Sequence, residues 1–310
     1  MIGLVLRRIG WALAVAWFVV TATFAMLAAI PADPAKALLG PHADDAALAR
    51  ARAHYCLDEG VLVEYGCWLD HVVRGELGES YRTKRPVTEV LADRAWPTAQ
   101  LALAAILLQL LIGVPLGVLG AVRSGRWPAR AAELVELVAQ SVPSFVAGTV
   151  LLYVVAYRWG LLPIGGYGDG GWDRARHLVL PAATLATFGI ASYARVIRTE
   201  LGDALGEDYV RTARAKGLTE RAVVLRHGLR TSLGPLVTLV GLDLGVLLGG
   251  AVVVEQIYAW PGLGREVLLA ILELDLPLIL GVVLVSAIAI AAANLVVDLL
   301  QLWIDPRLRD

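Results

Sequence analysis

The sequence predicts an all-α polytopic membrane protein of six transmembrane helices with a long first extracytoplasmic loop. Three observations predict it. Of the 310 residues, 58% are hydrophobic and the mean hydropathy is +0.67, more apolar than a soluble domain of this length. Apolar runs of about 20 residues, the length that crosses a hydrocarbon core, recur along the chain. The short connections between them alternate between basic and acidic or mixed, the asymmetry that orients membrane helices. The net charge of −1 says little about partners, because the distribution of charge carries the information.

Arg7 and Arg8 precede an uncharged run from Ile9 to Ile30. That run exceeds the apolar region of a cleavable signal peptide, so residues 1–30 read as an N-terminal tail and a retained first span, held with the N-terminus inside. Residues 31–95 read as an extracytoplasmic loop or small domain. Pro31-Ala-Asp-Pro34 stops the first span, since each proline restricts the residue before it. Leu57 to Trp68 carries apolar residues at mixed spacing and accommodates one or two short helices. The loop is slightly acidic, with 11 Asp and Glu against 8 Lys and Arg. Both cysteines, Cys56 and Cys67, fall here. An outside loop permits a disulfide between them, and two unpaired thiols fit the sequence equally. Without a Cys-x-x-Cys pair or a Cys/His cluster, no structural metal site is expected.

The second span runs from Trp96 to Val122, where Gly113, Pro115, Gly117 and Gly120 allow close packing. Arg123 to Arg130 follows, with three arginines and no acid, the clearest inside connection of the chain. The third span, Leu134 to Tyr157, should kink at Pro143. Gln140, Ser141 and Ser144 lie beside the kink and suit either a polar conduit or hydrogen bonds between helices. Arg158 to His177, rich in Gly and Trp, reads as an outside loop. The fourth span, Leu178 to Val196, ends inside at Arg195 and Arg198.

Asp208 to Arg230 is the most polar segment of the second half, with Arg211, Arg214, Lys216, Arg221, Arg226, His227 and Arg230. Val210, Ala213 and Gly217 recur at helical spacing, and Gly217 breaks the pattern. Thr219 stands where an N-cap belongs, Glu220 puts an anion in the next first turn, and Ala222, Val223 and Leu225 supply an apolar side. The segment is a helix-turn-helix hairpin on the cytoplasmic side. Pattern alone suits an ordinary arginine-rich inside loop equally well.

The fifth span runs from Leu233 to Val254, with Gly241, Gly245 and Gly249 forming a ridge and Gly250 beside it. Asp243 must face the bundle interior, a partner or water, because a bare carboxylate in lipid is expensive. It would either bias a path toward cationic groups or pair with an arginine of a partner. Glu255 to Asp275 is acidic and reads as an outside loop, with Trp260-Pro-Gly-Leu-Gly264 as a tight turn placing an aromatic at the membrane interface. The sixth span, Leu276 to Trp303, carries Asn294 and Asp298 near its inside end, and the tail 306–310 with Arg307 and Arg309 lies inside.

Arg211-Thr-Ala-Arg-Ala-Lys-Gly217 resembles the EAA loop of ABC importer permeases, whose pattern is Glu-Ala-Ala, three residues, then Gly. The run through Arg230 is similar to the dipeptide/oligopeptide subfamily, with Arg211 where the wider family has Glu. Arg74 to Ser80, Ala251 to Glu255, Trp260 to Gly264, Asn294 to Asp298 and Asp305-Pro-Arg307 extend the likeness over most of the chain, and it is weakest between Ala32 and Leu69. The resemblance implies a type I ABC importer permease fold with its transmembrane core in 96–305 and a coupling loop at 199–230. Arg211, Thr212, Ala213, Arg214, Ala215, Lys216, Gly217 and Leu218 would then dock on an ATPase subunit. Gln140, Ser141, Ser144, Asp243, Asn294 and Asp298 are candidates for the translocation path. The subfamily usually has an uncharged polar residue at the place of Asp243.

The implied partners are a second homologous permease subunit, two ABC ATPase subunits, an extracytoplasmic solute-binding protein, a peptide substrate and membrane lipid. ATP and magnesium would sit in the ATPase subunits, and the implied location is the bacterial inner (plasma) membrane with both termini cytoplasmic. The chain has no Gly-x4-Gly-Lys-Ser/Thr, HExxH or GxSxG sequence, and its five histidines are scattered, so no catalytic role or cofactor of its own is expected, nor a nucleic-acid partner. A stand-alone secondary transporter would require matched inverted repeats, which the sequence does not display. A membrane sensor or scaffold using the hairpin to bind a signalling partner is the other alternative.

Overall fold

The computed structural model describes residues 2–29, 35–36, 44–54, 56–125 and 127–304. The proline stop Pro31-Ala-Asp-Pro34, Arg126 and the tail 306–310 with Arg307 and Arg309 lie outside them. Among the described residues the chain is helical, with an isolated bridge between Glu79 and Pro86. In order the helices are α1 (Ile2–Ala28), α2 (Asp45–His54), α3 (Val61–Val73), α4 (Val87–Val122) and α5 (Trp127–Ser141). Next come α6 (Ser144–Leu151, continued by a π-helical Leu152–Arg158), α7 (Gly171–Gly206) and α8 (Asp208–Ala215). The last are α9 (Glu220–Ala222, π-helical Val223–Gly228, then Leu229–Gly250), α10 (Val252–Ile257), α11 (Leu263–Leu272) and α12 (Leu276–Ile304).

Among the described residues four helices are long and apolar enough to cross a membrane: α1 over Ile9–Ala28, α4, α9 over Glu220–Leu248 and α12 over Leu276–Gln301. The two halves of α7, Gly171–Thr187 and Gly189–Gly206, meet at 51° and together make a fifth. The expected third span, Leu134 to Tyr157, is not one kinked helix. Pro143 has ψ 140° and caps α6 in extended conformation, so α5 stops at Ser141 and α6 starts afresh at Ser144. Proline lacks an N–H and crowds the preceding turn, and here the chain leaves the helix rather than bending within it. The fifth span also ends early. Ala251, at ψ 29°, separates α9 from the short α10, directly after the pair Gly249-Gly250, which holds a helix poorly.

The chain divides into two compact units. Among the described residues the first comprises 99–260 and 292–304, and there α4 packs closely on α7. A Cβ at Gly113 would lie 2.9 Å from the Ile190 carbonyl oxygen, one at Gly117 2.5 Å from that of Ala194, and one at Gly120 2.9 Å from Arg198 Cδ. These positions share a helix face, and α7 answers with Tyr193, Ala194 and Ile197, all fully buried. Gly241 does the same for α12, where a Cβ would come 2.6 Å from Val297. Trp260 is not an interfacial aromatic: it is fully buried with Leu101, Ala182 and Ala251, edge-on to Tyr167 at 4.9 Å. The turn folds back to place it there. The Trp260 N–H donates to the Glu255 carbonyl at 2.8 Å, and the Gly166 N–H donates to the Tyr258 carbonyl at 2.8 Å.

The second unit comprises residues 2–98 and 261–291. Val87, Val90 and Leu91 of α4 pack on Leu263 and Ala270 of α11 and on Leu278, Ile279 and Val282 of α12. Three acids of the segment before α12, Glu255, Glu266 and Asp275, are buried. Glu266 is buried and pairs with Arg82 and, at 3.0 Å, with Arg94. Asp275, fully buried, accepts from Ser80 Oγ and from the Arg82 N–H at 3.1 Å. Cys56 and Cys67 are joined by a disulfide, which restricts the unfolded chain by about 2–3 kcal/mol on a loop-entropy account. Phe24 of α1 meets Tyr65 and Trp68 of α3.

Replacing Gly117 by Leu must push α7 away from α4, and overpacking of this kind costs about 1–3 kcal/mol. Gly117→Leu is expected to lower the thermal midpoint of the detergent-solubilised protein by several degrees. Gly202→Ala, where a Cβ would meet nothing within 4 Å, should leave it unchanged.

Candidate functional site

The hairpin grows out of the end of α7. Glu207 leaves the helix in extended conformation (φ −73°, ψ 153°), turning the chain into α8, and Asp208 places a carboxylate in its first turn. Val210 and Ala213 point inward and form a small core with Val223, against Leu205 of α7. Thus α8 and the start of α9 fold over the foot of α7. A Cβ at Gly228 would lie 2.5 Å from Leu201 Cδ1, so glycine also sets the approach of the second arm.

The turn is closed by backbone geometry. Gly217 has φ +78°. Its N–H donates to the Arg214 carbonyl at 2.9 Å, and the Leu218 N–H donates to the Ala213 carbonyl at 3.4 Å. This pair of bonds is the Schellman closure of a helix C-terminus. A residue with a side chain would pay about 1–2 kcal/mol for the left-handed torsions. A Cβ there would meet nothing within 4 Å, so the requirement is torsional and the surface above Gly217 is open. Thr219 then caps α9, its hydroxyl accepting from the Ala222 N–H at 3.4 Å.

Arg214 behaves differently from the free cation that the motif suggests. Its guanidinium forks onto Glu220, with Nε 2.8 Å from Oε1 and Nη2 3.3 Å from Oε2, and Nη1 reaches the Leu205 carbonyl at 3.4 Å. It stitches the two arms of the hairpin and the end of α7 together. Ala213 is buried and belongs to the hairpin's interior. Arg211, Thr212, Ala215, Lys216 and Leu218 are exposed; Arg211 lies 3.2 Å from Asp208, and Thr212 donates back to the Asp208 carbonyl. With the exposed Arg221, these residues leave a basic, solvated ridge around the open glycine.

The six path candidates fall into separate places. Gln140 accepts a hydrogen bond from Arg195 Nη2 at 2.8 Å, a bond between helices. Ser141 donates to its own Leu137 carbonyl at 2.7 Å, and Ser144 is exposed at the start of α6. Asp243 on α9 has the Tyr193 hydroxyl of α7 as its neighbour. Asn294 is exposed and Asp298 partly buried, both on α12. Reading the sequence does not single out Glu136, yet the structure buries it, at 3% exposure, against Arg198. The signal was available, since Glu136 is an acid inside the expected third span.

Comparison with known proteins follows the same lines. The family described as "Binding-protein-dependent transport system inner membrane component" matches residues 113–310, and its N-terminal membrane component matches residues 1–102. The glutathione transport system permease protein GsiC of Salmonella choleraesuis (strain SC-B67) is 37% identical over 309 residues, covering 100% of this chain and 99% of the relative. The probable D,D-dipeptide transport system permease protein DdpB of Escherichia coli (strain K12) is 38% identical over 329 residues, covering 98% and 97%. Among solved structures, an inward-facing form of the MetNI methionine ABC transporter aligns with a TM-score of 0.59 at 18% identity, over 70% of this chain and 96% of that one. This is a likeness of fold.

Gly217→Val forces a β-branched residue into left-handed torsions, whereas asparagine tolerates them. In everted membrane vesicles, Gly217→Val is expected to raise tryptic cleavage at Arg214, Lys216 and Arg221 several-fold without changing membrane insertion. Gly217→Asn should stay close to the unaltered chain.

Proposed function

The chain belongs to the family of binding-protein-dependent transport system inner membrane components, and on that premise we propose that it is one of two homologous permease subunits in an ATP-driven importer of small peptides. The observation that carries this reading is the self-supporting basic hairpin at the foot of α7. Its shape is fixed by internal bonds, and its exposed surface is a ridge of cations around an open glycine. Such a body can take a push without deforming, and its charge steers it toward an acidic cleft.

In this reading residues 1–30 form the N-terminal tail and first span, and 31–95 an outside domain closed by the Cys56–Cys67 bond. Residues 96–305 form the transmembrane core, 199–230 the coupling loop and 306–310 a cytoplasmic tail, with both termini inside. A solute-binding protein delivers the cargo to the outer face. Two ATPase subunits bind ATP and magnesium and close, moving the hairpins, and the helices above alternate between outward- and inward-open arrangements. This chain transmits force and lines the route; it makes and breaks no covalent bond. Peptide cargo is supported by the relatives, which are named for glutathione and D,D-dipeptides. Leu103, Leu107 and Leu111, 55–61% exposed at a spacing of four on α4, offer an apolar face to lipid or to the second permease.

The test is uptake by proteoliposomes holding this chain, its companion permease and the ATPases, with the binding protein supplied outside. Uptake of a labelled dipeptide or of glutathione should require ATP on the ATPase side and survive collapse of the proton gradient. Uptake that persists without ATP and stops with a protonophore would assign the chain to secondary transport instead.

A further inference from the structure

Between the hairpin and the α5–α6 break lies a charged ladder that a packed helix bundle does not need. Arg198 Nη1 is 3.0 Å from Glu136 Oε2 and 3.2 Å from Oε1, and 3.5 Å from Glu133 Oε1. Three residues earlier on α7, Arg195 holds Gln140 at 2.8 Å, four residues further along α5. The two rungs run in opposite sequence directions, so α5 and α7 lie antiparallel and touch at two successive turns.

The upper end of this ladder is the break at Pro143, immediately after Gln140 and Ser141. Its lower end is continuous with the hairpin, because Arg195 and Arg198 belong to the helical segment Gly189–Gly206 below the α7 bend. That segment places Arg198 about 12 Å above its end at Gly206 if it is read as a straight helix of 1.5 Å rise per residue. The stem of Arg198 lies over Gly120 of α4, where a Cβ would come 2.9 Å from its Cδ.

A buried ion pair gains little over well-packed apolar residues, because desolvating both charges offsets their attraction. Stability alone therefore does not explain a 3%-exposed glutamate in this position. A directional, inextensible link between two helices does. We infer that Glu136 and Arg198, seconded by Gln140 and Arg195, form a transmission latch: positioning residues through which displacement of the hairpin and lower α7 drags α5 and resets the α5–α6 break. This inference rests on the importer reading and adds to it a route for the force inside the membrane.

The test compares transport with ATP turnover in the complete reconstituted complex. Glu136→Gln keeps shape and hydrogen bonding but removes the charge, and it is expected to cut peptide imported per ATP hydrolysed at least tenfold. Complex assembly should be unchanged and ATP hydrolysis should stay within about twofold. Glu136→Asp should recover part of the ratio. Arg198→Lys, which replaces the guanidinium whose Nη1 contacts both Glu136 and Glu133 with a compact ammonium, should resemble Glu136→Gln. Spin labels at Leu137 and Val146, flanking the break, should change separation on ATP binding in the unaltered complex and not in Glu136→Gln. An unchanged import-to-hydrolysis ratio in Glu136→Gln would overturn the latch while leaving the importer reading in place. So would loss of assembly in both Glu136→Gln and Arg198→Lys, which would assign the pair a purely structural role. Absence of ATP-driven uptake by the unaltered complex would sink both readings.

Discussion

The first unit depends on the close approach of α4 and α7. Inside a bilayer the hydrophobic effect gives helices no reason to associate, and contact must come from close packing of small residues and from polar bonds. Gly113, Gly117 and Gly120 provide the packing by letting α7 lie backbone against backbone. Tyr193, Ala194 and Ile197 are buried as a consequence, and Arg198 is aimed past α4 at the carboxylates of α5. A side chain at Gly117 would displace α7, and with it the hairpin that α7 carries.

The hairpin answers a different physical problem, that of making a short polar element rigid in water. It has almost no core, only Val210, Ala213 and Val223 over Leu205. Rigidity comes from satisfying backbone groups at both ends of a turn: two Schellman bonds around Gly217, the Thr219 cap, and Arg214 forked onto Glu220. Exposed ion pairs contribute little to global stability. Here the fork matters for shape, because it ties the two arms across the turn, while Arg211, beside Asp208, and Lys216 and Arg221 lie on the outer surface. The second unit uses ion pairs differently, burying Glu266 between Arg82 and Arg94 to fasten the chain after Trp260 to the start of α4.

What could be read in advance was what local chemistry decides. The apolar runs of α1, α4, α9 and α12 are legible because each is longer than a bilayer core is thick. The hairpin turn is legible because a glycine before a threonine cap has one economical backbone solution. Features set by tertiary contact were not. Pro143 would be compatible with a kink or a break, and the structure has the break, with α5 and α6 each packed on α7 as separate helices. Trp260 follows the pattern of an interfacial aromatic until the turn is seen to fold it against Leu101 and Ala182. The burial of Glu266 and Asp275 is not legible because their partners, Ser80, Arg82 and Arg94, are some 170 to 195 residues away in sequence. Of the docking residues suggested by the motif, Ala213 and Arg214 turn out to hold the hairpin together, a distinction that residue type alone does not make.

The central claim is that the ridge around Gly217 faces the cytoplasm and bears on an ATPase subunit. A single cysteine in place of Lys216 tests it most directly, the natural pair Cys56 and Cys67 being occupied with each other. In everted vesicles containing the full complex, a short thiol-reactive cross-linker at position 216 should join this chain to the ATPase, with a yield that changes when ATP is added. Labelling of that cysteine by an impermeant reagent added outside intact cells, or the absence of any adduct with the ATPase in assembled complexes, would contradict the account.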